Sequence, residues 1–294
     1  MLEHKKIQNL SDYFVELNSR REKGVYFYRI NGYSEEVGEF IKKYYDTARR
    51  TGVVIEGKIP NPDEGNLAYY NEIMGMDFQM SMDFIHVSLR KWLPRMNEFQ
   101  RQNVAASIYD SLDSLRKAGK TENMLRNAYI KFMCWLYYKF ERIVNQLGEN
   151  HIPKILYEGQ ISNYELMLIS ILSNAGCDVV LLQYAGDQGY LKTDPGSVLS
   201  DSLQMEGLQP FPQGYCVKKV RDEIQNELNN ERLYGIRPSL TNCTNAWIKG
   251  KGLDDIRTSI ALRGNDNKFF YNCFWRINGA EDKLTYANEL FQFQ

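Results

Sequence analysis

The chain has 294 residues, 43% of them hydrophobic, with 36 basic and 37 acidic side chains. This length and apolar content are enough for one large or two modest domains with a sizeable core. The balanced charge gives no electrostatic reason to expect nucleic acid or an anionic membrane as a partner. No stretch approaches the roughly 20 apolar residues of a membrane-spanning helix either.

The amino terminus and the cysteines bear on the cellular compartment. The first residues, MLEHKKIQNLSDYF, lack the apolar core of a signal peptide. The cysteines are odd in number, scattered and free of CxxC spacing, which predicts buried free thiols in a cytoplasmic protein. They are Cys134, Cys177, Cys216, Cys243 and Cys273. The three histidines do not have the spacing of a zinc site, so we expect no metal.

In chain order, the first predicted elements are a short helix, a strand, a longer helix and a second strand. The short helix is Asp12–Asn18, and the aromatic run Val25–Ile30 predicts the first strand. The longer helix carries Phe40 and Tyr44 on one apolar face, and Val53–Ile55 follows it as a strand.

Residues 67–148 have a helical pattern throughout. Asn97–Lys117 and Glu122–Leu147 predict two long helices joined by a short turn. The second has a continuous apolar face that includes Phe132 and Phe140. We therefore expect a helical insertion between the early strands and those that follow.

The clearest unit, residues 153–187, predicts strand, helix and strand. Lys154–Tyr157 is a short apolar run, and Asn163 suits the cap of a helix over Tyr164–Ala175. Val179–Tyr184 has no alternation of polar and apolar residues, which is typical of a strand buried on both faces. Two such strands joined by a helix form a parallel βαβ unit. The predicted fold is α/β, a Rossmann-like parallel sheet with a helical insertion.

The strand ends of this unit carry the first candidate site residues. In open parallel sheets ligands bind beyond the carboxyl ends of the strands, where Glu158 and Asp187 are found. These carboxylates could hold a ribose hydroxyl or a metal-bound phosphate, or act as a catalytic base. The alternative is that both are solvated turn residues. Tyr157 and Gly159 flank Glu158 and are candidate ligand contacts.

Four further residues are candidates for ligand binding. Glu165, in the first turn of the helix, could contact a ligand or favour the helix dipole. Arg29 could clamp an anion or pair with a carboxylate. Trp247 with Lys249 could stack on and neutralise a nucleotide or sugar, or Trp247 could be a buried anchor. The glycines form neither a GxGxxG nor a Walker motif, although a phosphate could reach the backbone amides near Ser162.

The last segment of the chain repeats the first. Phe27–Gly32, FYRING, and Phe274–Gly279, FWRING, are identical at five of six positions and 247 residues apart. The repeat predicts a first unit over residues 1–237 and the truncated start of a second copy over residues 238–294. The alternative is two similar but unrelated strand–turn–helix pieces. In the repeat Arg276 takes the position of Arg29 and is a further candidate for ligand binding.

Three motifs together resemble one known family. They are FYRING with the later KIPNP, the run ILYEG…LSNAGCDVVLLQYAGD, and TNAWIKG…LRGND…FFYNCFWRING. They are similar to the bacterial YceG-like proteins, described as components of a biosynthetic module, and not to the lytic transglycosylase that shares the name. Members are typically tandem duplications, encoded in stress-response operons linked to tellurite and toxic-anion resistance. Here the second copy lacks its helical middle and βαβ unit.

The resemblance implies a component of a cytoplasmic stress-response biosynthetic module, and no particular reaction or cofactor follows from it. From the fold we expect a nucleotide or nucleotide-sugar-like metabolite at the strand ends, in a glycosyltransferase-like role by analogy. The alternative is a non-catalytic scaffold that binds other protein products of the same operon. A cleft that gathers Glu158, Asp187 and an arginine would favour the enzyme, and a flat surface that disperses them would favour the scaffold.

Overall fold

The computed structural model of the protein describes residues 2–60 and 68–234, without the side chains of residues 227–234. The chain divides into two compact units, Met1–Val217 and Lys218–Gln294. The described part of the second unit is the continuation of a helix that begins at Val217 and ends at Tyr234. The predicted second copy, with Trp247, Lys249 and Arg276, lies outside the described residues.

The described residues of the first unit contain one sheet of five parallel strands. These are β1 (Phe27–Ile30), β2 (Val53–Glu56), β3 (Lys154–Glu158), β4 (Asp178–Leu182) and β5 (Asp201–Ser202). Their order is β2-β3-β4-β1-β5, so β1 lies between β4 and β5. Every neighbouring pair is parallel, which confirms the predicted α/β class with a parallel sheet.

Helices connect the strands and form the insertion between β2 and β3. They are α1 (Glu35–Thr51), α2 (Ala68–Met74), α3 (Met82–Trp92), α4 (Glu98–Lys117), α5 (Glu122–Trp135), α6 (Glu141–Val144), α7 (Asn163–Ala175), α8 (Gln188–Leu191) and α9 (Val217–Tyr234). The predicted long second helix of the insertion is interrupted by the π-helical stretch Leu136–Phe140. Within this stretch Tyr137 stacks on Tyr69 at 3.9 Å and Tyr138 meets the same ring edge-on at 5.7 Å.

Near the amino terminus the predicted helix Asp12–Asn18 is replaced by two short 3-10 helices, Leu10–Phe14 and Leu17–Ser19. The physical reason is local hydrogen bonding. The Asp12 carboxylate accepts from the backbone N–H of Gln8 at 2.6 Å and of Asn9 at 3.1 Å. Side chains of this kind bond to nearby backbone in turns and so compete with a regular helix.

The β3–α7–β4 unit follows the prediction closely. The two strands are parallel neighbours, with Ile155 opposite Val179. The cap of α7 is Ser162, one residue earlier than predicted. The helix ends at Gly176, whose φ of +132° is a backbone conformation that glycine adopts without the steric cost of a Cβ atom.

Helices cover both faces of the sheet. Because strand side chains alternate, Ile155 faces the core shared with α7 and the insertion, whereas Val180 faces α1. On the α1 side the hydroxyl of Tyr44 donates to the carbonyl of Asp178 at 2.9 Å. Val180 and Leu182 are fully buried, which confirms the predicted burial of the second strand of this unit, and Leu172 of α7 is fully buried as well.

The insertion shares its core with the sheet. Leu112 of α4, Phe132 of α5 and Leu168 of α7 are fully buried in one continuous apolar cluster with Val179 of β4. Helix α4 packs directly on α7 and on α3. The insertion therefore closes one face of the sheet and leaves its carboxyl edge for other segments.

Candidate functional site

The strand order places a topological switch point between β1 and β4. From β1 the chain crosses β4 and β3 to reach β2, whereas from β4 it crosses β1 in the opposite direction to reach β5. At the carboxyl ends of two such strands an open α/β sheet forms a crevice in which ligands bind. Here the strands are held together at this point by the N–H of Gln183, which donates to the carbonyl of Ile30 at 2.8 Å.

Glu158, at the end of β3, is held by two contacts within the chain. Its Oε2 accepts from the hydroxyl of Tyr184 at 2.6 Å and from the backbone N–H of Val217 at 2.8 Å. Burial and the contact with Glu158 raise the pKa of Tyr184 well above its usual value, so this phenol stays protonated and donates. The Glu158 carboxylate therefore joins three segments of the carboxyl edge, β3, the turn after β4, and the start of α9.

Asp187 and Arg29 form an ion pair. The distance from Arg29 Nε to Asp187 Oδ1 is 2.7 Å, with the arginine side chain buried and the aspartate partly exposed. The same guanidinium donates to the carbonyl and hydroxyl of Ser200 and to the hydroxyl of Ser197, and it lies 4.4 Å from the centre of the Tyr190 ring. Of the two alternatives for Arg29, this geometry is that of the carboxylate pair.

The start of α7 already holds a carboxylate. Glu165 is buried and accepts from the N–H and hydroxyl of Ser162, at 3.0 and 2.5 Å, and from the N–H of Ile59 at 2.7 Å. A phosphate at this helix start would meet that negative charge at close range. The predicted phosphate position near Ser162 is therefore disfavoured by electrostatics.

Tyr157 and Gly159 shape the ends of β3 and β2. Tyr157 is fully buried, and its hydroxyl donates to the carbonyl of Gly57 at 3.0 Å. Burial, together with the nearby Glu165 carboxylate, raises the pKa of this tyrosine. Gly159 has a φ of +99°, and a Cβ placed there would lie 3.4 Å from the Cα of Gly57. These two turns pack closely against each other, and a side chain at Gly159 would be strained.

Helix α1, which follows β1 at the switch point, also begins with acidic residues. The Ser34 hydroxyl caps it by accepting from the N–H of Val37 at 3.2 Å. Glu35 and Glu36 occupy its first turn. The starts of α1 and α7 thus both carry carboxylates, which favour the helix dipoles and oppose an anionic ligand at these positions.

Four aromatic rings pack together over the crevice. Tyr33 comes from the turn after β1 and Tyr184 from the turn after β4, whereas Phe211 and Tyr215 come from a later segment. Ring centres lie 4.9 Å apart for Tyr184 and Phe211, and 5.3 Å apart for Tyr33 and Tyr215. All four rings are half-buried, so each keeps part of its surface open to solvent. We call these four residues the aromatic cluster.

The later segment, residues 203–217, is tied to the edge of the sheet at several points, and we call it the covering segment. Tyr33 and Gln209 exchange backbone hydrogen bonds, with N–H to O distances of 2.6 and 2.9 Å. A Cβ atom at Gly32 would lie 3.0 Å from the Cβ of Leu208, so only glycine fits this approach comfortably. Together with the Val217–Glu158 contact, these bonds place the covering segment over the switch point.

The structure brings some of the predicted site residues to one edge and not others. Glu158, Gly159 and Asp187 lie at the ends of β3 and β4, while Tyr157, Glu165 and Arg29 are buried. Sequence reasoning missed the aromatic cluster. The signal for it was the run LQPFPQGY, residues 208–215, which carries two aromatic residues between prolines and a glycine typical of a loop.

A comparison with protein-family models matches residues 5–227 to the YceG domain. The chain belongs to the YceG family. The matched residues of the YceG domain include all five strands, the insertion and the covering segment. No curated protein and no solved structure matches the chain.

Metal-ligating groups, free cysteines and the apolar character of the helices complete the description of the YceG domain. The described residues contain no group of three or more His, Cys, Asp or Glu side chains that could hold a metal ion. Cys134 and Cys177 are buried free thiols, as predicted, whereas Cys216 is a free thiol that is only half-buried, and Cys243 and Cys273 lie outside the described residues. Within the described part of the chain, no helix has the length and apolar character needed to cross a bilayer.

Proposed function

We propose that this YceG-domain protein binds a nucleotide or nucleotide-sugar-like metabolite at the crevice between β1 and β4, as a component of a cytoplasmic stress-response biosynthetic module. The observation that carries the proposal is the aromatic cluster over the switch point, next to the Glu158 carboxylate. The parallel sheet with helices on both faces is Rossmann-like in a broad sense. Its strand order, β2-β3-β4-β1-β5, differs from the 3-2-1-4-5-6 order of dinucleotide-binding sheets.

The aromatic cluster supports binding of a planar base. Tyr33, Phe211 and Tyr215 expose part of their rings, and stacking of a base on an aromatic side chain contributes about 1–3 kcal/mol. Both hydrogen bonds to Glu158 use Oε2, and among the described residues Oε1 accepts none. A carboxylate oxygen at the end of a parallel strand is a suitable acceptor for ribose hydroxyls.

The charges at the edge of the sheet determine how such a ligand would lie. Glu165 at the start of α7, and Glu35 and Glu36 at the start of α1, oppose a phosphate at either helix. We therefore place the base and sugar against the aromatic cluster, with any phosphate directed to solvent. This arrangement supports binding more directly than a glycosyltransferase-like reaction, because Glu158 and Asp187 both have partners within the chain.

Calorimetric titration with uridine, UDP and UDP-glucose, and with adenosine and ATP, tests this proposal. We expect at least one nucleoside to bind, and its phosphorylated forms to bind with similar affinity. Phe211→Ala removes a stacking surface and should weaken that binding about tenfold. Tyr70→Ala, a 37%-exposed tyrosine in α2 of the insertion, is the matched control and should leave it unchanged.

Two outcomes would contradict the proposal. One is the absence of nucleoside binding to the folded protein. The other is nucleotide binding that needs the phosphates and does not respond to Phe211→Ala, because the ligand would then lie elsewhere.

A second candidate function, a scaffold for other proteins of the same operon, is favoured by a different surface. The insertion exposes several large apolar side chains, which is typical of protein-binding surfaces. They are Tyr70, Met74, Met82, Val87, Phe99 and Met124. If the protein is a scaffold, Met82→Lys should abolish capture of a purified operon partner while Phe211→Ala leaves it intact. The opposite pattern would remove this candidate.

A further inference from the structure

A cavity lies beside the outer edge of the sheet, on the side of β1 that faces β5 rather than β4. Its volume is about 460 Å³, within the range of small-molecule sites. One wall is residues 6–10 of the amino-terminal segment, and the other is residues 201–205, which contain β5 and the start of the covering segment. Glu36, in the first turn of α1, also lines it. We call this cavity the β5 groove.

The fold builds the β5 groove from two segments that are far apart in sequence. His4 pairs in parallel with Val25, and Asp201 of β5 pairs in parallel with Tyr28. Both therefore run along the same edge of β1, since β4 occupies the other edge. The hydroxyl of Tyr28 accepts from the N–H of Ile7 at 3.2 Å and so links the two walls.

Three charged side chains line the β5 groove. Lys6 and Glu36 are exposed and Asp201 is half-buried, and the side chains of these three make no hydrogen bond or ion pair with another described residue. By contrast, Glu158 and Asp187 at the carboxyl edge of the sheet are each bonded within the chain. Asp201 is the least exposed of the three, and its carboxylate acts electrostatically on His4 and Tyr28. A cavity with such groups is organised to receive complementary charges from a ligand.

The charges and walls of the β5 groove define the class of ligand. The carboxylates of Glu36 and Asp201 can pair with two cationic groups of a ligand, and the ammonium group of Lys6 can pair with one carboxylate of the ligand. Ile7, Leu203 and Met205 line the same groove and offer apolar surface for a chain of methylene groups. We propose that the β5 groove binds a basic amino acid, a ligand with an α-ammonium, an α-carboxylate and a cationic side chain, of the class of arginine and lysine. This site is separate from the crevice of the proposed function.

Calorimetric titration of the full chain with L-arginine tests the assignment. L-citrulline has the same shape without the side-chain charge, and agmatine lacks the carboxylate. We expect both to bind at least tenfold more weakly than L-arginine, because each leaves a charged group of the groove unmatched. Glu36→Gln and Asp201→Asn should each weaken the binding of L-arginine by a similar factor. Lys6→Met should weaken the binding of L-arginine but not that of agmatine.

Glu39→Gln is the matched control, since it removes an exposed carboxylate of the same helix that does not line the groove. Thermal unfolding of each variant without ligand shows whether it is folded, and a variant that is not folded is replaced by Glu36→Asp or Lys6→Arg. Failure of L-arginine to bind, or binding of L-citrulline as strong as that of L-arginine, overturns the proposal. Equal affinities of the wild type and of Asp201→Asn for L-arginine would also overturn the proposal. Phe211→Ala should leave L-arginine binding intact, so this proposal and the nucleotide proposal fail separately.

Discussion

Arg20 and Asp178 form a buried bidentate ion pair that joins the amino-terminal segment to the start of β4. The distance from Arg20 Nη1 to Asp178 Oδ1 is 2.9 Å, Nη2 bonds to Oδ2, and both side chains are fully buried. Lys154 of β3 bonds to the same carboxylate at 2.5 Å, and the N–H of Tyr26 donates to it at 2.9 Å. One carboxylate thus compensates two buried cations at the amino end of the sheet, opposite the candidate site.

Asp178→Ala is therefore expected to be strongly destabilising. It leaves Arg20 and Lys154 buried without a counter-charge, and breaking a buried ion pair from one side costs about 3–5 kcal/mol. Urea unfolding of wild type and variant measures the loss in the free energy of unfolding. Asp113→Ala is the control, because Asp113 also pairs with two cations, Arg116 and Lys117, but on the surface. Equal effects of the two substitutions would mean that burial of the pair is unimportant.

Tyr44 makes the stability of the protein sensitive to alkaline pH. Burial raises the pKa of Tyr44 well above its usual value of about 10. Above pH 10 the unfolded chain releases this proton while the folded chain keeps it, so stability falls as pH rises. The loss is up to about 1.4 kcal/mol per pH unit for one tyrosine.

Tyr44→Phe removes this titration. The slope of the unfolding free energy between pH 10 and 11 should become less negative by about that amount. At every pH the variant also loses the hydrogen bonds from the hydroxyl to the carbonyls of Asp178 and Ile155. Burial lowers the pKa of Lys154, which acts in the opposite direction, but both proteins share this contribution and it cancels in the comparison. Parallel pH profiles for wild type and variant would show that Tyr44 does not titrate as its burial requires.

Leu172 anchors α7 to the sheet. Its side chain is fully buried in the core that the sheet shares with the insertion. Leu172→Ala leaves a cavity and should lower the free energy of unfolding by about 2–5 kcal/mol. Val198→Ala, at a position that is 80% exposed, should change it by less than about 0.5 kcal/mol. A thermal midpoint that Leu172→Ala leaves unchanged would contradict the packing of α7 on the sheet.

Glu158 holds the covering segment in place. Glu158→Ala leaves the hydroxyl of Tyr184 and the N–H of Val217 without their acceptor, which should cost about 1–3 kcal/mol. The effect should be local, so hydrogen exchange measured by mass spectrometry should accelerate in peptides from residues 203–217. Peptides from α4 serve as the internal control. Uniform acceleration in both regions would point to global destabilisation instead.

The sequence by itself determined the α/β class and most of the β3–α7–β4 unit. The strand ends at Glu158 and Leu182 and the helix end at Gly176 lie within two residues of their predicted places. These features depend on neighbours in the chain: an unbroken apolar run, a side chain that suits a helix cap, and a glycine where φ is positive. Local signals of this kind are present whatever the rest of the fold does.

Only the tertiary structure decided the order of the strands and the partners of the charged residues. Arg29 pairs with Asp187, which is 158 residues away, because β1 inserts between β4 and β5. Glu158 meets Val217 across 59 residues for a similar reason. A pattern of residue types contains no information on which distant carboxylate a buried arginine will find. The pairing depends on how the whole chain buries its apolar surface and compensates its buried charges. It is therefore determined only in the folded protein.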